Sequence, residues 1–201
     1  MERAPAIPGG SGEPHGVAER TMRTMALPAT MRKFEISLAD SDRQIYETLD
    51  LRVAQHPSES ERYLVARVIA RALEHAEGLE FSKGGVSDDD EPALVQRDLR
   101  GDLVAWIEIG APSADRVHKA SKAAPRVAIY AWKNPDQLAE AIRERKVHRD
   151  PELYALPAEL LDGVAGTLDR TNRWDLAVTG GTLYLTIGGQ LFEGNVTRVA
   201  I

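Results

Sequence analysis

Two apolar runs on either side of an amphipathic segment constrain this chain most. Leu103-Val-Ala-Trp-Ile-Glu-Ile109 is apolar on both faces except at Glu108, and Val127-Ala-Ile-Tyr-Ala-Trp132 is apolar throughout. A strand without a polar face must be covered on both sides, so each run predicts a central, buried strand. Gly110-Ala-Pro112 breaks the first run, and Ser113 to Ala124 reads as a short helix carrying Arg116, Lys119 and Lys122. Leu103 to Trp132 is therefore a β-α-β unit, which predicts parallel strands and a right-handed crossover.

The flanking segments are read from period and punctuation. Arg32 to Leu38 alternates polar and apolar, Ala39-Asp-Ser-Asp42 is a turn cluster, and Leu49, Leu51 and Val53 alternate with Asp50 and Arg52, which together predict a hairpin. His56-Pro57 ends it. Ser58 to Glu77 predicts a helix with Leu64, Val65, Val68, Ile69 and Leu73 on one stripe, opened by Ser58-Glu59-Ser60-Glu61 as a capping box. Phe81 to Asp90 is rich in Gly and Asp and predicts a surface loop, running into the dense acidic stretch Asp88 to Glu91. Ala93 to Leu99 predicts a strand, turned by Arg100-Gly101-Asp102 into the first buried run. Asn134-Pro135 predicts an N-cap with Pro at the first position of a helix to about Lys146. Leu153 to Leu156 predicts a short strand and Pro157 to Val164 a helical turn. The chain closes in β-structure: Trp174 to Val178, a Thr179-Gly180-Gly181 turn, Leu183 to Ile187, and Val196 to Ile201.

Composition bounds the function classes. A chain of 201 residues suits one domain. The absence of Cys excludes disulfides, thiolate metal sites and a Cys nucleophile, and makes a reducing, cytoplasmic compartment the default expectation. No apolar run approaches the ~20 residues of a membrane span. Residues 1–24 lack the apolar core of a secretory signal. They predict a disordered leader or a mis-assigned start, with a single domain over 25–201 beginning at Met25 or Met31. Lys and Arg number 25 against 31 Asp and Glu, a net −6 that opposes a generic nucleic-acid coat but allows a local basic patch.

The chemistry candidates begin with Glu108. An ionised carboxylate in an apolar strand costs several kcal/mol unless it is paired or ligates a metal, and this one stands at the strand end where open α/β sheets place ligands. Its plainer reading is pairing with an Arg. Asp98, at the end of the preceding strand, converges on Glu108 if the two strands pair, and two hard oxygen ligands would suit Mg²⁺ or Mn²⁺. Asp98 also reads as a turn residue, with Asp102 nearly as good a ligand. Arg116, Lys119 and Lys122 recur every third residue and approximately share a helix face, suiting phosphate or a metal-bound water, or simply solvent. Glu61 reads equally as a cap and as a third carboxylate. His56 is a lone histidine, and His75, His118 and His148 show no zinc spacing. Dinucleotide, phosphate-loop, nucleophile-elbow and zinc-protease signatures are absent from the sequence.

An ordered series of motifs adds a family resemblance. His56-Pro-Ser-Glu59 with Glu61-Arg62, Leu79-Glu-Phe81 with Gly84, Asp90-Glu-Pro92, Asp98-Leu-x-Gly101, Trp106-Ile-Glu-Ile-Gly110, Pro112, Arg116-x-x-Lys119-Ala120, the opening Ala26-Leu-Pro-Ala-Thr30 and Asp169-Arg-Thr171 together resemble the bacterial YaeQ family over about Met25 to Val199. The resemblance implies an α/β (α+β) fold with a PD-(D/E)XK nuclease-like core, a mixed β-sheet with flanking helices plus additional antiparallel β-structure. It implies a helix acid at Glu61, with Glu59 competing, a strand Asp at Asp98 and a third acid at Glu108, around Mg²⁺ or Mn²⁺. Where the nuclease pattern has Lys two residues after the Glu, this chain has Gly110. Lys119 is the expected replacement, with Arg116 and Lys122 contacting phosphate. The expectation is a metal-dependent nuclease or phosphodiesterase acting on nucleic acid. The alternative is an inactive nuclease-fold module that binds nucleic acid or a protein.

Overall fold

Alternation in the sequence becomes two sheets with opposite burial logic. A computed structural model describes Met1, residues 29–82 and residues 91–201. The leader expected over 1–24 (Met1 apart), and all but the start of the loop expected over Phe81–Asp90, lie outside the described residues.

The first sheet has the order β10-β9-β8-β1-β2. Its strands β1 (Thr30–Asp40) and β2 (Ile45–Gln55) form the expected hairpin. Strand β8 (Thr171–Thr179) runs parallel to β1 and continues through β9 (Thr182–Ile187) and β10 (Gln190–Asn195) as an antiparallel meander. Burial alternates along β1, with Phe34, Ile36 and Leu38 inward and Glu35 and Ser37 outward. One face is therefore wet and one packed. Phe34 meets Trp174 edge-on, with ring centroids 5.0 Å apart.

The second sheet has the order β11-β7-β6-β5-β4-β3. Here β5 (Leu103–Ile109), β6 (Arg126–Ala131) and β7 (Glu152–Ala155) are parallel, joined through α2 (Ala114–Ala123) and α3 (Pro135–Arg145). The parallel β-α-β unit expected from the apolar runs is present. β3 (Leu79–Phe81), β4 (Leu94–Arg97) and β11 (Thr197–Val199) add antiparallel edges.

Two helices fill the space between the sheets, α1 (Glu61–Leu73) and α4 (Ala158–Ala165). They share one core with the inner face of the first sheet and with Leu94, Ile107, Ile109, Ala128 and Tyr130 of the second. The opposite face of the second sheet packs Trp106, Val127, Ile129 and Leu153 against Val117, Ala120, Leu138 and Ile142 of α2 and α3. Four layers result: sheet, helices, sheet, helices. The mixed α+β expectation is met. No helix among the described residues is long and apolar enough to cross a membrane.

Several local expectations are corrected. The helix expected from Ser58 starts at Glu61, and Ser60 rather than Ser58 is the N-cap, accepting from the Tyr63 amide at 3.2 Å. Ser58 turns back to His56 Nδ1 at 2.7 Å. The helix ends at Leu73 rather than Glu77, and the chain re-enters β-structure at Leu79 through Gly78 (φ 76°), where a Cβ would lie 1.9 Å from the Arg97 carbonyl oxygen. Asn134 precedes α3 but makes no side-chain cap. It adopts φ 47°, and Pro135 alone marks the first turn.

Candidate functional site at the end of strand β5

The acid that broke the apolar run is buried and paired. The Glu108 side chain is 5% exposed, and its Oε1 accepts from Trp106 Nε1 at 2.6 Å and from Arg116 Nε at 2.7 Å. Strand period supplies the first donor, since Trp106 and Glu108 point to the same face. Helix α2 supplies the second: Ser113 caps it, accepting from the Arg116 amide at 3.2 Å, and so fixes the turn from which Arg116 reaches back. Arg116 Nη2 also donates to the Glu91 carbonyl at 2.5 Å, and its side chain stays 21% exposed. Burial pushes the Glu108 carboxyl above its ordinary value, against the pull of the Trp106 indole and the Arg116 charge.

A second buried ion pair lies at the start of α1. Arg67 Nη2 donates to Glu59 Oε2 at 3.0 Å and to the Ala54 carbonyl at 2.9 Å, and the two side chains are 2% and 1% exposed. Among the described residues Glu59 Oε1 and Arg67 Nε have no hydrogen-bond partner. The guanidinium stands over the Phe81 ring, 5.4 Å from its centroid. Burial raises the Glu59 carboxyl and lowers Arg67.

Tyr63 links the two pairs. Its ring packs edge-on against Trp132 at 6.1 Å, beside Gly110, whose φ of 89° suits glycine. Burial and the Glu108 charge push its hydroxyl up to about 12, and Arg67, Glu59 and Arg116 bear on it as well. The structure thus gathers Glu59, Tyr63, Arg67, Glu108 and Arg116. Beside them opens a groove of about 510 Å³ lined in part by Phe81, Glu91, Pro92, Val95 and Trp106.

Asp98, Asp102 and Glu61 lie elsewhere. Asp98 belongs to the β4–β5 turn, where Oδ1 accepts from the Arg100 and Asp102 amides, both at 2.9 Å. Register pairs Arg97 with Leu103 and Leu94 with Ile107, so this turn and Glu108 stand at opposite ends of β5. Five residues of strand separate Leu103 from Glu108, about 17 Å at ~3.3 Å per residue. That is far beyond the reach of one shared ion, so the expected convergence of Asp98 with Glu108 does not occur. Asp102 is an exposed member of the same turn. Glu61 is half-exposed and pairs with Arg32 at 3.4 Å, so of the two competing helix acids it is Glu59 that faces the buried cluster. Lys119 and Lys122 are exposed on α2. Among the described residues no three Asp, Glu or His side chains gather as metal ligands. With Glu108 held by Arg116, the described residues do not fit the two-acid Mg²⁺ or Mn²⁺ site expected from sequence.

A model of the YaeQ protein family matches residues 25–196. The chain belongs to the YaeQ family. The Escherichia coli (strain K12) relative, described as uncharacterized protein YaeQ, is 30% identical over 176 residues, covering 86% of this chain and 97% of that one. A Salmonella typhi YaeQ protein is 35% identical over 108 residues, 54% of this chain and 59% of its own length. The crystal structure of YaeQ from Pseudomonas syringae superposes with a TM-score of 0.80 at 32% identity, covering 86% of this chain and 96% of that one. That of YaeQ from Xanthomonas axonopodis pv. citri gives 0.76 at 29% identity, covering 85% and 97%. The four-layer arrangement is thus shared with solved YaeQ structures.

Sequence reasoning missed Tyr63 and Arg67. A signal existed, because α1 is apolar around most of its circumference, with Leu64 through Ala70 all buried. A helix of that kind lies inside the molecule, so Arg67, the arginine in the middle of its buried run, needs an acid nearby. Also missed was a polar cluster at the other end of β6. There Arg126 donates to both Glu74 oxygens at 2.7 and 2.9 Å and to Glu152 at 2.5 Å, while Tyr130 and Tyr154 hydroxyls donate to the same two carboxylates.

Proposed function

We propose that this YaeQ-family chain is a nuclease-like scaffold that binds a nucleic-acid phosphodiester without cleaving it, with Arg116 as the group meeting the phosphate. The observation carrying this reading is the pairing of Glu108. Its carboxylate is already engaged by an internal cation and an indole N–H. A guanidinium that balances a buried carboxylate and remains partly open to solvent is suited to planar contact with a phosphate. The nuclease-like core belongs to the same reading. It is supported by an acid at the end of the first parallel strand, a cation on the following helix, and a buried acid opening the helix packed across the sheet.

A metal-dependent phosphodiesterase is the second reading, favoured by Glu59 and Glu108, two buried acids whose charges both bear on Tyr63. Mg²⁺ or Mn²⁺ would there have to displace Arg67 and Arg116 from carboxylates they now neutralise.

Calorimetric titration with Mn²⁺ and Mg²⁺ separates the readings, followed by Mn²⁺-containing digests of single-stranded DNA, duplex DNA and RNA. The expected result is no saturable metal binding and no cleavage, with binding of a labelled oligonucleotide weakened by Arg116→Met. Stoichiometric metal binding lost in a Glu59→Gln/Glu108→Gln variant, together with cleavage, would establish the second reading instead.

A further inference from the structure

The charge of this acidic chain is unevenly placed. Residues 114–150, which hold α2, β6 and α3, carry nine Lys and Arg against five Asp and Glu, whereas the whole chain has 25 against 31. Three of those nine pair with carboxylates among the described residues, Arg116 with Glu108, Arg126 with Glu74 and Glu152, and Arg145 with Asp115. All but Arg116 and Arg126 are exposed.

The fold concentrates several of these at one place. Lys146 ends α3 in a left-handed turn (φ 52°), which folds the following residues back over the C-terminus of α2. Two hydrogen bonds pin them there: the His148 amide to Ser121 Oγ at 3.0 Å, and Arg149 Nη1 to the Ala124 carbonyl at 3.1 Å. Lys122 on the same helix, Arg145 at the end of α3 and the pinned His148 all act on His118, lowering its pKa behind the larger effect of burial, with Asp115 opposing them. Asp115 itself is paired with Arg145 at 2.5 Å. The surface has no exposed apolar anchor: the exposed large hydrophobics among the described residues are Met1, Met31, Tyr46, Leu99, Tyr184 and Leu191, all outside 114–150. Specific docking of a protein segment relies on buried aromatic or aliphatic anchors. A polyphosphate backbone needs only cations.

We propose that the outer α2–α3 face, centred on Lys122, Arg145, Lys146 and Arg149, is the docking surface for the backbone of a nucleic acid. The inference rests on the phosphodiester-binding reading above and extends it from one arginine at the start of α2 to the far end of that helix. Contact here is backbone contact, so the face tolerates any base sequence and its binding is steeply salt-dependent.

The test is fluorescence polarisation of a labelled 20-base-pair DNA and a 20-nucleotide RNA over a salt series. Lys122→Glu/Arg145→Glu is compared with Arg52→Glu/Arg173→Glu, an equal charge change on the outer face of the first sheet. Lys122→Gln/Arg145→Gln is the milder variant. The expected result is an affinity loss of about tenfold or more at low salt for the first variant, with the magnitude of its slope of log K against log salt reduced by roughly two. The Gln pair is expected to show a smaller loss of the same kind, and the sheet variant to stay close to wild type. Equal losses on both faces, undiminished binding in the α2–α3 variants, no binding by the wild type, or competition by polyglutamate as effective as by DNA would each overturn the proposal. Arg116→Met, measured alongside, tests the underlying reading separately. If it binds as wild type while the α2–α3 variants lose affinity, the Arg116 reading fails and the docking face stands.

Discussion

At the scale of single residues, the molecule turns on how buried carboxylates are neutralised. Glu108 and Glu59 each have one arginine, at 2.7 and 3.0 Å. Removing one partner of such a pair leaves an uncompensated buried charge, which costs more than the intact pair contributes. Arg116→Met is therefore expected to destabilise the fold by about 3 kcal/mol, the low end for buried pairs because Arg116 is partly exposed. A shift in the urea midpoint at constant m-value reads it. The pH dependence has a definite sign. Burial holds the Glu108 carboxyl above its ordinary value of 4.5, so the folded state keeps its proton where the unfolded state has lost it. Its contribution to stability is whole below 4.5 and is lost as pH rises through the folded value. The stability advantage of wild type over Glu108→Gln should accordingly shrink as pH rises from 4.5. A gap that stays constant in unfolding curves taken across pH 4.5 to 8 would show that Arg116 and Trp106 cancel the burial. Glu108 was legible in the sequence because a charge in an apolar strand is conspicuous. Its partner was legible only as one option among several cations, since three-residue spacing does not say which of Arg116, Lys119 and Lys122 turns inward.

At the scale of elements, period was informative and ends were not. The hairpin β1–β2 and the unit β5-α2-β6 follow from alternation and from apolar runs, both properties of contiguous residues. Strand β10 escaped notice because Gln190–Asn195 carries only Leu191 and Phe192 as apolar residues, and its reason for being a strand lies across the space to α4. Two glycines record that contact. A Cβ on Gly194 would fall 2.5 Å from Pro157 Cγ, and one on Gly163 would fall 2.8 Å from the Phe192 ring. Gly194→Ala is expected to push β10 off α4 and cost about 2 kcal/mol through overpacking. Gly188→Ala, in open space at φ 57°, should cost about 1 kcal/mol from backbone strain alone. Thermal unfolding of the two variants side by side checks the order, and a reversal would mean that β10 yields freely.

At the scale of the whole molecule, the C-terminal strands tie the layers together. β10 belongs to the first sheet and β11 to the second, with the Val196 amide donating to the Gly181 carbonyl at 2.8 Å where the chain crosses between them. Truncation after Asn195 removes β11 together with the packing of Val199 and Ile201 on the outer core. The expected loss is about 2 kcal/mol for two partly buried side chains, or roughly 6 °C in Tm at this size. An unchanged melt would show that β7 needs no cover. What the sequence by itself determined is local or periodic: the parallel unit, the hairpin, the buried acid at the end of β5, and the motif series of the YaeQ family. What only the tertiary structure decided is which distant residues meet. Asp98 and Glu108 are ten positions apart, yet antiparallel register sends them to opposite ends of one strand, while Glu59 and Glu108, far apart in the chain, come to bear on the same Tyr63. Hydrophobic period is written in neighbouring residues. The pairing of buried charges is settled by how sheets and helices stack.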